Sequence, residues 1–75
     1  MGNYSYLLTE LDHAVMRVGQ STAHVAEEEK RVALSKQRGD DTQQSEKLLS
    51  VLRDCLRLHR TYYDMRLLRL ERRSA

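Results

Sequence analysis

The sequence predicts an all-α fold: an antiparallel helical hairpin that assembles into a four-helix bundle. Two helix-forming segments of similar length flank one break, Arg38-Gly39-Asp40-Asp41, and the chain contains no proline. Within the first segment, mostly apolar residues recur in alternating steps of four and three. They are Tyr4, Leu8, Leu11, Val15, Val18, Thr22, Val25, Glu29 and Val32. Steps that average about 3.5 residues are typical of the seam of a coiled coil.

The first helix is predicted over about residues 4–37. Its weak point is the segment Gly19-Gln20-Ser21-Thr22, because a glycine inside a helix costs about 1 kcal/mol relative to alanine. A break near Gly19–Thr22 would give the alternative fold, a three-helix bundle. Since Val18 and Val25 stay in phase across this segment, we expect one continuous helix.

The turn is predicted at residues 38–41 and the second helix at about residues 42–72. Gly39 lies where helices commonly end in a left-handed residue, a conformation that glycine adopts without a Cβ penalty. Asp41 can cap the second helix by accepting a hydrogen bond from a free backbone N–H group. Because 75 residues bury only a small core, the chain 1–75 is expected to be a single helical module.

The second helix carries two apolar stripes where a hairpin needs one. The first consists of Leu48, Val51, Cys55, Leu58, Tyr62 and Met65. The second consists of Leu49, Leu52, Leu56, Tyr63, Leu67 and Leu70. An antiparallel register in which facing residue numbers sum to about 80 places Val32 beside Leu48 and Val25 beside Cys55. The first stripe is therefore expected to face the first helix. A partner covers the second stripe, unless a bend of the first helix covers both.

This excess of apolar surface predicts a protein–protein interaction or scaffold module that acts through coiled-coil assembly. Its partner is expected to be a second copy of the chain or another coiled-coil protein. The predicted interface residues are Val18, Val25, Leu52, Leu56, Tyr63 and Leu67.

The residues suited to catalysis or metal binding are few and widely spaced. His13 and His24 are eleven residues apart, too far along a helix to share a metal. In the hairpin register, His24 lies near Cys55 and His59, but these residues lack a compact ligand spacing. Phosphate-binding loops and nucleophile motifs are absent from the sequence. We therefore expect a non-enzymatic protein with no catalytic, cofactor or metal site.

Charge divides unevenly between the two halves of the chain. Residues 1–41 carry five basic and seven acidic groups, whereas residues 42–75 carry eight basic and four acidic groups. Opposite net charges favour pairing between the helices. The basic end also suggests an alternative function, binding to an anionic membrane surface or, less favoured, to nucleic acid. The residues concerned are Arg66, Arg69, Arg72 and Arg73.

The sequence lacks an apolar run of the about 18 residues that a membrane span requires. It begins without the basic and apolar regions of a secretory signal. Cys55 is the single cysteine, which fits a reducing compartment. We therefore expect a cytoplasmic location.

Small and branched apolar residues alternate in the first segment, and a leucine-rich segment follows the break. The residues concerned are Leu11, Ala14, Val18, Val25-Ala26, Glu29, Val32-Ala33 and Leu48-Leu49-Ser50-Val51-Leu52-Arg53. This pattern resembles the opening helices of BAR domains of the sorting-nexin type. The chain has room for two of the three long helices of such a domain. The resemblance implies a dimeric helical module that binds or shapes membranes in endosomal trafficking, peripheral to endosomal membranes.

Overall fold

The structure, a computed structural model, describes residues 3–74, with side chains from residue 5 to residue 73. Within this range, two α-helices form an antiparallel hairpin: α1 spans Asn3–Gln37 and α2 spans Gln43–Ser74. The hairpin is a rod of 59 × 14 × 13 Å. The predicted all-α helical hairpin is therefore confirmed, and the helices end within two residues of their predicted ends.

Helix α1 is continuous through its predicted weak point. Gly19 is helical, and the Thr22 hydroxyl donates a 2.7 Å hydrogen bond to the Val18 carbonyl one turn earlier. The alternative of a three-helix bundle with a break near Gly19–Thr22 is therefore wrong. Packing across the seam on both sides of Gly19 offsets the low helix propensity of glycine.

The turn satisfies the free backbone groups of both helix ends. The N–H groups of Gly39 and Asp40 donate to the carbonyls of Lys36 and Ser35 at 3.1 and 3.0 Å, the pairing of a Schellman motif. Gly39 has a φ of +79°, in the left-handed region. The Asp41 carboxylate then accepts a 3.0 Å hydrogen bond from the Gln43 N–H and caps α2.

A single seam of side chains joins the helices. Its central cluster consists of Val25, Val32, Leu49 and Leu56, with Val18 and Leu52 packed against it. Leu7 and Ala14 extend the seam toward the open end of the hairpin, opposite the turn, and three polar side chains are also buried. These polar residues are Ser21, Glu28 and Thr42. The seam is one layer thick, and no large side chain of the described residues is fully enclosed.

The α1 seam agrees with the prediction at alternate positions only. Leu11, Val18, Val25 and Val32 are buried or half-buried as expected, whereas Leu8, Val15, Thr22 and Glu29 are exposed. Their preceding neighbours, Leu7, Ala14, Ser21 and Glu28, are buried instead. The side chain of Tyr4 lies outside the described residues. The small side chains at 14 and 21 let α2 approach closely. This packing sets the rotation of α1, even though hydrophobicity alone would favour burying position 15.

On α2 the prediction chose the wrong stripe to face α1. Leu49 and Leu56 are buried, with 6% and 9% of their surface exposed, whereas Leu48 is 48% exposed and Cys55 is also exposed. Adjacent helical positions differ by about 100° around the axis. The helix is therefore rotated by about that angle relative to the prediction.

The flanking charges explain this rotation. Lys36 pairs with Glu46 at 2.8 Å and Glu29 pairs with Arg53 at 3.1 Å along one side of the seam. Turning α2 by one position would move these partners away from each other. The pairs are exposed and each is worth about 0–1 kcal/mol, so they select orientation more than they add stability.

The predicted register is correct even though the rotation is not. Ser21 is hydrogen-bonded to His59 across the seam at 2.5 Å, and their numbers sum to 80. Glu10 lies 3.7 Å from Arg69, where the sum is 79. The short turn determines this register because it leaves no slack between the helices.

Candidate functional site

The main unpartnered surface of the hairpin is an apolar face on α2. We call it the α2 face; it comprises Leu48, Val51, Cys55, Leu58, Tyr62 and Met65. Its five large side chains are between 46% and 56% exposed, and Cys55 is exposed as well. They follow one side of the helix from residue 48 to residue 65, over about 25 Å. A continuous apolar strip of this length on a small protein indicates an interaction site.

Helix α1 forms a polar border beside the α2 face. Arg17 and Tyr62 line the same shallow depression, whose floor includes Ala14 and His59. The guanidinium of Arg66 lies 5.7 Å from the centre of the Tyr62 ring, at cation–π distance. The face is thus apolar along its centre and charged along its edge, the usual anatomy of a protein interface.

The opposite side of the hairpin offers a smaller apolar area. Leu8 and Val15 are about half exposed, and Val15, Val18 and Tyr63 line a shallow depression. Toward the turn this side is crossed by the Glu29–Arg53 pair. Because it is short and interrupted by charge, it is the weaker candidate.

All six predicted interface residues lie in the seam between α1 and α2. Val25 and Leu56 are buried in the central cluster, and Val18 and Leu52 pack against it. Tyr63 and Leu67 are half-buried farther along the seam. These residues join the two helices of one chain, so the main apolar surface left for a partner is the α2 face.

The Arg-rich end of α2 lies beside the Glu10 carboxylate of α1. Arg66 and Arg69 lie 4.0 and 3.7 Å from this carboxylate, so α1 partly neutralises them. Arg72 and Arg73 are exposed, and with Arg69 they line an open depression beside Leu7. Two of the four predicted cationic residues, Arg66 and Arg69, are therefore already engaged by α1.

Tyr6 belongs to the same charged group. Its phenol O–H donates to the Glu10 carboxylate, and this hydrogen bond, followed by the negative charge of Glu10, raises the tyrosine pKa above its ordinary value. Glu10 thus receives contacts from Tyr6, Arg66 and Arg69. This arrangement orders the open end of the hairpin and accounts for a carboxylate that is mostly shielded from water.

The histidines and Cys55 do not assemble into a metal site. Within residues 3–74, no group of three or more His, Cys, Asp or Glu side chains is placed to hold a metal ion. His59 is occupied by its hydrogen bond to Ser21. His13 and His24 are exposed on α1. Neither helix, over the same residues, is long and apolar enough to cross a membrane.

Comparisons with known proteins yield no relative. No protein-family model, curated protein or solved structure matches the chain. Function is therefore inferred from the α2 face and its surroundings. Both stripes of α2 are visible in the sequence, but the prediction assigned them to the wrong sides. The opposite charges of Lys36 and Glu46, and of Glu29 and Arg53, are the sequence signal that indicates the correct sides.

Proposed function

We propose that this protein is a non-enzymatic coiled-coil interaction module that assembles with a second copy of itself through the α2 face. The observation that carries the proposal is the continuous apolar strip of half-exposed side chains from Leu48 to Met65. In the assembly, two hairpins form a four-helix bundle, and this bundle serves as a scaffold.

The total surface of the hairpin supports assembly. It exposes 5985 Å², whereas a compact monomer of its mass, 8.8 kDa, exposes about 4800 Å². The excess arises because a layer of two helices has no interior. It exceeds the about 800 Å² per partner of a standard protein interface, so pairing two hairpins would bring the surface into the ordinary range.

The apolar strip also supplies enough free energy for reversible association. Burying the exposed half of a large aliphatic side chain is worth about 1 kcal/mol. Five such side chains from each of two copies contribute about 10 kcal/mol, which is comparable to the about 4–15 kcal/mol cost of association. We therefore expect a concentration-dependent dimer.

The proposal includes a setting in membrane trafficking. Its support is the resemblance of the sequence pattern to the first helices of sorting-nexin BAR domains, which are dimeric. Binding to an anionic membrane is the competing function. The ion pairs of Glu10 with Arg66 and Arg69 make that function less favourable because these two cations already have a counter-charge.

The test is the solution mass of the intact chain across a concentration series, measured by light scattering after size exclusion. We expect the mass to rise from one chain to two. The double substitution Leu58→Glu with Met65→Glu should hold the mass at one chain, because it places charge in the proposed interface.

The matched control is Leu8→Glu with Val15→Glu, which puts the same charges on the opposite side of the hairpin. This variant should dimerise like the wild type. Circular dichroism verifies that each variant retains its helices. A wild-type mass of one chain at every concentration would contradict the proposal, as would equal behaviour of the two variants.

A further inference from the structure

We propose that the open end of the hairpin binds a multiply charged phosphate group through Arg69, Arg72 and Arg73. These arginines line one open depression beside Leu7 of α1. They lie beyond Met65, where the α2 face ends, so the proposal does not depend on self-assembly. The phosphate group belongs either to a soluble molecule or to a lipid headgroup, and the same guanidinium chemistry would bind both.

The spacing of the three arginines brings their guanidinium groups to one place. Arg72 and Arg73 follow Arg69 by three and four residues, and residues at these spacings are neighbours on the surface of a helix. All three side chains are exposed. Long side chains from about one turn of α2 can therefore reach the same ligand.

The depression has a cationic lining. Among the described residues, its lining consists of the three arginines and Leu7, without a carboxylate. Glu10 approaches from outside the depression, and its Oε2 atom lies 3.7 Å from Nη1 of Arg69. This distance is longer than a hydrogen bond, and Glu10 Oε2 accepts none within the described part of the chain. The approach of Glu10 therefore leaves the N–H donors of Arg69 available to a ligand.

A bound anion would also relieve the repulsion between the arginines. Like charges three and four residues apart on a helix destabilise it. Arg72 and Arg73 lie in the last turn of α2, where the negative end of the helix dipole offsets part of this cost. Arg72 nevertheless forms no salt bridge within residues 3–74. An anion with several negative charges would neutralise all three arginines together.

The chemistry of the lining favours phosphate among anions. A guanidinium is a planar fork of N–H donors that binds phosphate through two parallel hydrogen bonds. Several guanidiniums in one place favour a ligand with more than one negative charge and several acceptor oxygens. A phosphate monoester or a triphosphate meets both requirements, whereas a single carboxylate does not. Because the depression is open, the group can enter while it is attached to a larger molecule.

The first test is titration of the intact chain with inorganic triphosphate, followed by isothermal titration calorimetry in a phosphate-free buffer at about 0.1 M salt. We expect the wild type to bind. Arg72→Gln should weaken binding by about tenfold, because it removes charge-assisted hydrogen bonds to the ligand.

The matched control is Arg60→Gln. Arg60 and Arg72 are both exposed, and neither forms a salt bridge among the described residues, so the two variants change the net charge equally. Arg60 precedes Arg69 by about 14 Å along α2, beyond the screening length of about 10 Å at this salt concentration. The control should therefore bind within about twofold of the wild type. Circular dichroism verifies that each variant retains its helices.

Two outcomes of the calorimetry would overturn the proposal. One is absence of triphosphate binding by the wild type. The other is equal weakening by Arg60→Gln and Arg72→Gln, which is the behaviour of diffuse surface charge. An NMR titration locates the ligand independently: amide shifts should concentrate at residues 69–73 and around Leu7, and shifts spread along the whole of α2 would contradict the site.

Vesicles distinguish the source of the phosphate. The chain is sedimented with phosphatidylcholine vesicles that contain phosphatidic acid, whose headgroup is a phosphate monoester. Vesicle binding that triphosphate displaces and that Arg72→Gln weakens would assign the site to a lipid headgroup. Triphosphate binding without vesicle binding would assign it to a soluble molecule. Vesicle binding that Arg72→Gln leaves unchanged would overturn the proposal, because it would show contact through another surface.

Discussion

Polar side chains occupy several positions of the seam between the helices. Ser21 and His59 form a hydrogen bond across it, and Glu28 is buried beside Arg31 at 3.5 Å. A slip of one helix by a turn would leave Ser21 and His59 without each other. Buried polar pairs of this kind specify register in coiled coils at some cost in stability.

Ser21→Ala is therefore expected to destabilise the hairpin. Removing the hydroxyl leaves the imidazole of His59 without its partner and should lower the free energy of unfolding by about 1 kcal/mol. Combining it with His59→Leu should recover this loss, because an apolar pair needs no hydrogen bond. Urea denaturation measures both effects. Thr22→Ala, on the exposed neighbour, is the control and should change the value by less than about 0.5 kcal/mol.

The Lys36–Glu46 pair beside the turn should make stability depend on pH. The hydrogen bond from Lys36, followed by its positive charge, lowers the Glu46 pKa below its ordinary 4.5. Because the folded pKa is the lower one, the stabilisation is present above 4.5 and is lost as the pH falls through the folded pKa. The wild type should therefore unfold at a higher temperature than Glu46→Gln at neutral pH. This difference should shrink as the pH falls below 4.5 and vanish once Glu46 is protonated in the folded state; a constant difference would contradict the assignment.

At the scale of the elements, the turn determines how α1 and α2 meet. The Schellman hydrogen bonds of Gly39 and Asp40 end α1, and Asp41 starts α2 two residues later. The connection is too short to allow alternative registers. Gly39 alone among the described residues has a positive φ. The turn of the hairpin therefore requires a left-handed backbone at this position.

Two glycine substitutions separate backbone strain from helix propensity. Gly39→Ala should lower the free energy of unfolding by about 1–2 kcal/mol, because an L-residue is strained at a φ of +79°. Gly19→Ala should raise it by up to about 1 kcal/mol, since Gly19 is helical and has no neighbouring atom within 4 Å of an added Cβ. Thermal unfolding gives both values. Effects of the same sign would contradict this interpretation.

At the scale of the whole molecule, the two stripes of α2 differ in burial. One holds the hairpin together and the other forms the exposed surface that we propose for assembly. Leu56 and Leu58 represent them, with 9% and 53% of their surface exposed. A single layer of seam residues gives a marginal core, so assembly and folding are expected to support each other.

Alanine substitutions on the two stripes should therefore differ in their dependence on concentration. Leu56→Ala should lower the free energy of unfolding by about 2–3 kcal/mol at every protein concentration, because it leaves a cavity in the seam. Leu58→Ala should have little effect in dilute solution and should lower the unfolding temperature only where the wild type dimerises. Equal losses at low concentration would contradict the division between the stripes.

The amino-acid sequence by itself determined the hairpin, its turn and its register. Gly39 and Asp41 have local roles that depend on a few neighbouring residues, and α1 kept its phase across Gly19 as the valine spacing predicted. The short turn then leaves one way to align the helices. These features are predictable because they depend on local backbone chemistry and chain connectivity.

Only the tertiary structure decided which stripe of α2 is buried. Leu48 and Leu49 are identical side chains on adjacent positions, so hydrophobicity does not distinguish them. The choice depends on how both helices fit together. It involves the small side chains of Ala14 and Ser21, the hydrogen bond between Ser21 and His59, and the flanking ion pairs. The α2 face is the apolar surface that this fit leaves exposed. The candidate site therefore depends on how the two helices pack, and neither helix specifies that packing alone.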